Sequence, residues 1–330
     1  MNPLLEKLHV YPFEKLANLK QGIVPPDGLS HISLSIGEPR HAPPQFVIDE
    51  LVANLDGLAA YPMAKGSDAL REAAAAWVNR RYQLDEFGID PHTQLLPVTG
   101  TREGLFAFVQ AVVNPAEHSI VMMPNPFYQI YEGAALLAGA EPHYLNTIPE
   151  NGFLPDFDSV PKEILDKASI LFLCTPGNPT GAVMDLEYLR KIIELADRHD
   201  FIVASDECYA EIYRDNANPP PGLLEACRVN GRNNYRRCIV FHSLSKRSNL
   251  PGLRSGFVAG DADIINRFLL YRTYHGCAMS LPVQVASVAA WQDDNHVREN
   301  REKYRRKFET AEEILAGTVD IEIPPATFYL

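Results

Sequence analysis

An α/β fold, a mostly parallel sheet flanked by helices, is what this sequence predicts, and three observations carry the prediction. From about residue 46 onward, short apolar runs alternate with longer amphipathic stretches. Several of those runs lack the every-other-residue alternation of a half-solvated strand, which reads as burial on both faces. The chain has 330 residues, 46% of them hydrophobic and 22% charged, enough for a large core and roughly two domains.

Element by element, Phe46 to Leu58 has helical periodicity, and Ser67 to Arg81 follows with Ser67 or Asp68 as its cap. Gln94 to Val98 reads as a strand leading into Thr99-Gly100-Thr101-Arg102, which opens a helix through Val113. Ser119 to Met123 is a strand, Phe127 to Ala138 a helix and Glu141 to Leu145 a strand. Ser169 to Cys174 is almost wholly apolar, so it belongs in the sheet interior. Leu186 to His199 is a helix, and Phe201 to Ser205, Ile239 to His242 and Ser255 to Ala259 are strands. Ala262 to His275 and Pro282 to Ala316 carry long helical patterns, the second bent near Asn295. The chain closes on Ile323 to Leu330, an apolar, strand-like stretch.

Composition excludes several function classes. Lys plus Arg (30) against Asp plus Glu (42) leaves a net charge of −12, so no global field gathers nucleic acid or an anionic membrane. No run approaches the ~18 apolar residues a spanning helix needs. Charged residues interrupt Met1 to Lys20, which predicts a cytoplasmic protein without a secretion signal. The five cysteines, Cys174, Cys208, Cys227, Cys238 and Cys277, are scattered and include no C-x-x-C pair, so reduced thiols are expected. The ten histidines form no H-E-x-x-H, and no metal site is predicted. Arg298 to Arg306 mixes charge signs at helical spacing, the pattern of a solvated helix face.

In such sheets ligands sit beyond the carboxyl ends of the strands, so the residues following each apolar run are the informative ones. After Ile239 to His242 come Ser243, Ser245 and Lys246, with Arg254 eight residues further on. Two hydroxyls, an amine and a guanidinium suit a phosphate beside a reactive amine, or a basic surface turn. After Phe201 to Ser205 come Asp206 and, three residues on, Tyr209; an acid there is either functional or a helix cap. After Ser169 to Cys174 come Pro176-Gly177-Asn178-Pro179-Thr180-Gly181, a turn that by itself needs no function.

In combination, and together with Ser35-Ile36-Gly37-Glu38-Pro39, these motifs resemble the fold-type I pyridoxal-phosphate enzymes, and among them the class I/II aminotransferases. The resemblance implies pyridoxal 5′-phosphate as cofactor and small amino acids and 2-oxo acids as substrates. It implies that Lys246 forms the Schiff base with the cofactor and shuttles a proton, and that Asp206 pairs with the ring nitrogen. Tyr209 and Asn178 take the ring's phenolic oxygen, and Asn178 also reaches the substrate carboxylate with the Gly37 backbone. Gly100, Thr101, Arg102, Ser243, Ser245 and Arg254 take the phosphate, and Tyr128 lies on the cofactor face. Tyr61 reaches the phosphate of a neighbouring subunit, which implies a homodimer. The resemblance further implies an N-terminal small-domain segment (1–44), a cofactor-binding large domain (45–290) and the start of a truncated small domain (291–330). Its carboxylate-binding arginine is expected beyond Leu330.

More particular strings, Tyr11 to Leu16, Ser35 to Arg40, Asn125 to Tyr131, Phe241 to Leu253 and Tyr271 to Ser280, are similar to the N-succinyldiaminopimelate aminotransferases. That similarity implies transfer of an amino group between N-succinyl-LL-2,6-diaminopimelate and 2-oxoglutarate in lysine and diaminopimelate biosynthesis. Arg40, Lys65, Arg102 and Arg272 are then candidate cations for the substrate's carboxylates, Lys65 or Arg102 for the distal one. Aspartate, alanine and acylornithine transaminases, C–S lyases and a non-catalytic effector-binding module share the same cofactor residues. The last of these accompanies an N-terminal DNA-binding domain, and no such pattern is read from Met1 onward.

Overall fold

The computed structural model describes residues 1–330. Its strands are β1 (Leu95–Val98), β2 (Ile120–Asn125), β3 (Glu141–Asn146), β4 (Ala168–Cys174), β5 (Ile202–Asp206), β6 (Cys238–Ser243) and β7 (Gly256–Gly260). They form one sheet in the order β1-β7-β6-β5-β4-β2-β3. β3, β2, β4, β5 and β6 run parallel, while β7 is antiparallel to both β6 and β1. The turn from β6 to β7 holds only a four-residue helix and a short 3-10 turn, too little for a crossover that would return the chain in parallel.

The helices are α1 (Pro12–Leu19), α2 (Gln45–Ala53), α3 (Asp68–Arg81), α4 (Thr101–Val112), α5 (Gln129–Leu137), α6 (Lys162–Lys167), α7 (Leu186–His199), α8 (Leu223–Val229), α9 (Leu244–Arg247), α10 (Ala262–His275), α11 (Leu281–Gln292) and α12 (Asn295–Leu315). Local chemistry sets several of their ends. Ser67 Oγ accepts the Leu70 N–H to start α3, and the Asp185 carboxylate accepts the Tyr188 N–H at 2.7 Å to start α7. Two cores cover the two faces of the sheet. α2, α3, α7, α8 and α11 pack on one; α4, α5 and α10 pack on the other. β4 explains its unalternated sequence, since Ile170, Leu171, Phe172 and Leu173 are all fully buried between these layers.

Three expectations need correction. Pro282 to Ala316 is not one bent helix. The chain turns extended at Asp293, whose carboxylate accepts the His296 N–H at 2.9 Å and so starts α12 separately from α11. The helix expected to reach Leu58 ends at Ala53, where the Asn54 side chain bonds the Glu50 carbonyl, and a 3-10 turn follows. Ile323 to Leu330 is not a strand. Thr327 lies in the left-handed region, and the segment docks by two backbone bonds, Arg214 N–H to the Pro325 carbonyl and Thr327 N–H to the Ile212 carbonyl at 2.7 Å. α12 lays the stripe Val297, Arg301, Tyr304 and Phe308 against the body of the protein, which is why its mixed-charge face is solvated.

Candidate active site

β1, β2, β4, β5 and β6 all end at one edge of the sheet, and antiparallel β7 begins there. The register sets Cys174 opposite Asp206, Asp206 opposite Phe241, and Gly256 opposite both Ser243 and Val98. The segments carrying Gly100, Tyr128, Asn178, Asp206, Lys246 and Arg254 therefore open onto the same edge, as the order of apolar runs predicted. A surface cavity of about 750 Å³ lies at the opposite edge among Gln94, Asp200, Arg237 and Asp261, away from all of these residues.

Asp206 is 6% exposed, and no lysine, arginine or histidine forms an ion pair with it. Its Oδ2 accepts the Tyr131 hydroxyl at 2.8 Å, and its Oδ1 accepts the Cys208 N–H at 3.2 Å. Burial raises its pKa above the ordinary carboxyl value, although hydrogen bonds from Cys208 and Tyr131 and the charge of His242 pull the other way. Tyr131 is held by a stacked Phe172 ring, with centroids 4.4 Å apart. Its part in the site was missed in the sequence, yet it lies three residues after Tyr128, at the spacing that brings helical side chains together.

Beneath Asp206 lies a second buried acid. Glu207 accepts from Tyr82 Oη (2.8 Å), Ser205 Oγ (3.0 Å) and Leu223 N–H (2.8 Å), and lies 3.2 Å from His242 Nε2. Burial pushes its pKa up, but the hydrogen bond and charge of His242, with the other donors, bring it below the usual glutamate range. This network ties the ends of β5 and β6 together behind the site.

Lys246 is half-buried and donates to the Gly37 carbonyl at 2.7 Å, joining the N-terminal segment to the sheet edge. Burial lowers its pKa, and Arg254 acts in the same direction, against Cys208, Glu38 and Asp206, which raise it. Ser243 Oγ caps α9 by accepting the Ser245 N–H and donates to the Ser255 carbonyl, while the Ser245 hydroxyl has no protein partner. The start of α4 has no side-chain cap. One expectation changes here: the Gly100 N–H is taken by the Val98 carbonyl at 2.8 Å, leaving the N–H groups of Thr101 and Arg102 to face a ligand. Gly100 has φ +79°, and a Cβ on it would lie 2.1 Å from Arg254 Nη2, so glycine lets the guanidinium close over the helix start. Arg254 itself is in the left-handed region, with Nη1 donating to the Pro251 carbonyl.

The remaining candidates are placed less uniformly. Tyr209 is 5% exposed beside the site, and its hydroxyl meets Tyr329 Oη at 2.7 Å. Asn178 lines a narrow cleft with Pro126, Cys174 and Gly177. Tyr128 packs edge-on to Tyr131, and burial raises its pKa to about 12. Arg102 is exposed and donates to the Tyr11 hydroxyl at 2.9 Å. Tyr61 is fully exposed and makes no side-chain hydrogen bond, so the single chain does not bring it into the site. Arg272 is not a free cation: it is 1% exposed, bonded to the Glu103 carboxylate and to the Cys277 carbonyl. Arg40 pairs with Glu38 at 3.3 Å, and Lys65 is exposed without an ion-pair partner. All five cysteines are free thiols, as expected. No helix is long and apolar enough to cross a membrane.

An uncapped helix start under an arginine, a buried carboxylate without a counter-ion, and a half-buried amine without a carboxylate can together hold an anionic, cationic-ringed carbonyl compound. Comparison with known proteins agrees with that chemistry. Residues 30–330 match the family model of aminotransferase class I and II. The chain belongs to this family. This aminotransferase is 34% identical over 308 residues to the LL-diaminopimelate aminotransferase of Nitratidesulfovibrio vulgaris, covering 92% of the chain and 76% of that relative. Among solved structures, an aminotransferase from Neisseria meningitidis is 49% identical with a TM-score of 0.94, over 99% of this chain and 82% of that one. A probable N-succinyldiaminopimelate aminotransferase from Thermus thermophilus is 27% identical with a TM-score of 0.81, over 91% and 78%. The aminotransferase is a pyridoxal-phosphate enzyme, as its family is. The site fits that cofactor on its own terms, because the Gly100–Arg254 cradle suits a dianion and Asp206 lacks a cation.

Proposed function

We propose that this aminotransferase acts on a diaminopimelate skeleton, moving the amino group of N-succinyl-LL-2,6-diaminopimelate to 2-oxoglutarate. The products are N-succinyl-2-amino-6-oxopimelate and glutamate. What carries the aminotransferase chemistry is Lys246, a half-buried amine of lowered pKa on the same strand edge as the unpaired carboxylate of Asp206. Pyridoxal phosphate supplies a carbonyl that captures amines and a cationic ring that withdraws electrons from the substrate Cα. Around it, Lys246 holds and moves the proton at Cα, and Asp206 keeps the ring nitrogen protonated. Tyr209 and Asn178 donate to the ring oxygen, and Tyr128 lies on the ring face. Thr101, Arg102, Ser243, Ser245 and Arg254 take the phosphate, and Asn178 with the Gly37 backbone orients the substrate carboxylate.

Two further assignments belong to the same reading. Residues 1–44 and 291–330 contribute to a small domain on a cofactor-binding domain of residues 45–290. The active unit is a homodimer in which Tyr61 reaches the phosphate site of the second copy. Supporting this, Tyr61 is fully exposed, and Ile23, Val24, Leu29, Ile32 and Leu34 leave an uncovered apolar surface on the N-terminal segment.

The Nitratidesulfovibrio relative's name favours a second reading, direct use of LL-diaminopimelate without the succinyl group. A donor panel with 2-oxoglutarate decides between them. The cofactor-loaded protein is expected to show its highest kcat/KM with N-succinyl-LL-diaminopimelate. Preference for LL-diaminopimelate selects the second reading, and preference for aspartate, alanine or acylornithine overturns both.

A further inference from the structure

Tyr329 lies at the meeting point of three chain segments. Its hydroxyl is 2.7 Å from the Tyr209 hydroxyl, with ring centroids 5.8 Å apart and tilted by 56°. A Cβ at Gly37 would fall 2.0 Å from the Tyr329 oxygen, so the phenol rests directly on the glycine whose carbonyl receives the Lys246 ammonium. Neighbouring contacts fix it there. Phe328 packs edge-on to Tyr209 and stacks on Tyr304, and the Thr327 N–H is bound to the Ile212 carbonyl. Tyr209 has no other protein partner for its hydroxyl. A phenol has one proton to give and two lone pairs to receive with. Within this pair, either oxygen alone could be the donor.

We infer that Tyr329 is a positioning residue: it donates to the Tyr209 oxygen and so keeps the Tyr209 proton directed at the cofactor's ring oxygen. The inference rests on the proposed role of Tyr209. A phenol that accepts a hydrogen bond becomes a stronger donor through its own proton, and its rotor is no longer free. The result is a ring oxygen held more firmly in its ionised form. Gly37 is needed because any side chain there would displace the Tyr329 hydroxyl.

The test is the pH titration of the bound cofactor's absorption in the full chain, free of substrate. Tyr329→Phe keeps the ring that packs on Gly37 and removes only the hydroxyl. Its titration midpoint is expected to rise by about half a pH unit. Tyr209→Phe is expected to raise it further, and Tyr329→Phe added to Tyr209→Phe is expected to change nothing more. Fluorotyrosine at position 329, a stronger donor, is expected to lower the midpoint. A Tyr329→Phe protein that titrates like the parent, with or without a lower melting temperature, overturns the inference. So does a shift that persists in the Tyr209→Phe background. If Tyr209→Phe itself titrates like the parent, the proposed role of Tyr209 falls as well.

Discussion

Tyr131→Phe isolates one hydrogen bond of the site with little collateral change. The phenylalanine ring retains the stacking on Phe172 at 4.4 Å, and only the 2.8 Å bond to Asp206 Oδ2 is lost. Asp206 is left with Cys208, whose N–H lies 3.2 Å away, in a buried setting. A hydrogen bond to a charged group is worth about 1.5–3 kcal/mol. At about 1.4 kcal/mol per pKa unit, its loss lifts the already raised carboxyl pKa by about one to two units. Asp206 then holds a proton on the ring nitrogen less well. The lower end of the range is expected, because the Cys208 N–H can shorten its bond, so kcat should fall about tenfold. Steady-state kinetics on Tyr131→Phe, Asp206→Asn and the double variant form the assay. If Tyr131 acts through Asp206, the double variant is no slower than Asp206→Asn alone. An unchanged kcat in Tyr131→Phe, or a further tenfold loss in the double variant, would refute the reasoning.

Other perturbations separate the remaining roles. Lys246→Ala should abolish cofactor labelling on borohydride reduction and abolish transamination, while circular dichroism shows a retained fold; persistent labelling counts against Lys246. Glu207→Ala strands Tyr82, Ser205, the Leu223 N–H and His242, so chemical denaturation should show a loss of about 3–5 kcal/mol, and a loss under about 1 kcal/mol contradicts the network. The sign of its pH dependence follows from a folded-state pKa below the unfolded value of about 4.3. That stabilisation is present above the unfolded value and lost as pH falls through the folded one, so Glu207→Gln should narrow the stability difference between about pH 7 and about pH 3.5. Lys65→Ala or Arg102→Ala should lower kcat/KM about tenfold for substrates with a distal carboxylate; no loss in either variant excludes both cations.

How much of this was legible depended on where each contact is encoded. β4 and β5 were readable because continuous apolar runs such as Ile170 to Leu173 have no alternative to a sheet interior. The site edge was readable for a related reason: Asp206, Ser243 and Lys246 stand directly after those runs, and strand direction places them. The break between α11 and α12 was not, since helical patterns stand on both sides of the polar run Gln292 to His296 and only the carboxylate of Asp293, accepting the His296 N–H, distinguishes a break from a bend. Arg272 looked like a substrate cation because its partner Glu103 is 169 residues away in the chain. Tyr329 and Tyr209, 120 residues apart, offer no spacing to read at all. Local periodicity reports which face a residue shares, whereas these pairs exist only once the sheet has brought distant segments together.

The unbalanced charges of the site have a common explanation. A buried carboxylate without a counter-ion, a half-buried ammonium bonded only to a carbonyl, and an uncapped helix start each weaken the chain that carries them. Glu207 and Arg272 are buried differently: the acid has its donors, and the guanidinium has the carboxylate of Glu103. The three deficits lie at one edge, and they differ in sign and shape. In the proposed reading a cationic ring answers Asp206, a carbonyl answers Lys246, and a dianion answers the start of α4 beneath Arg254. One molecule bearing all three groups offsets them together, and its binding free energy then adds to the stability of the folded state. These three unpaired groups are thus the complement the proposed reading assigns to the cofactor, and the arrangement that weakens this edge of the sheet is the one that would orient pyridoxal phosphate.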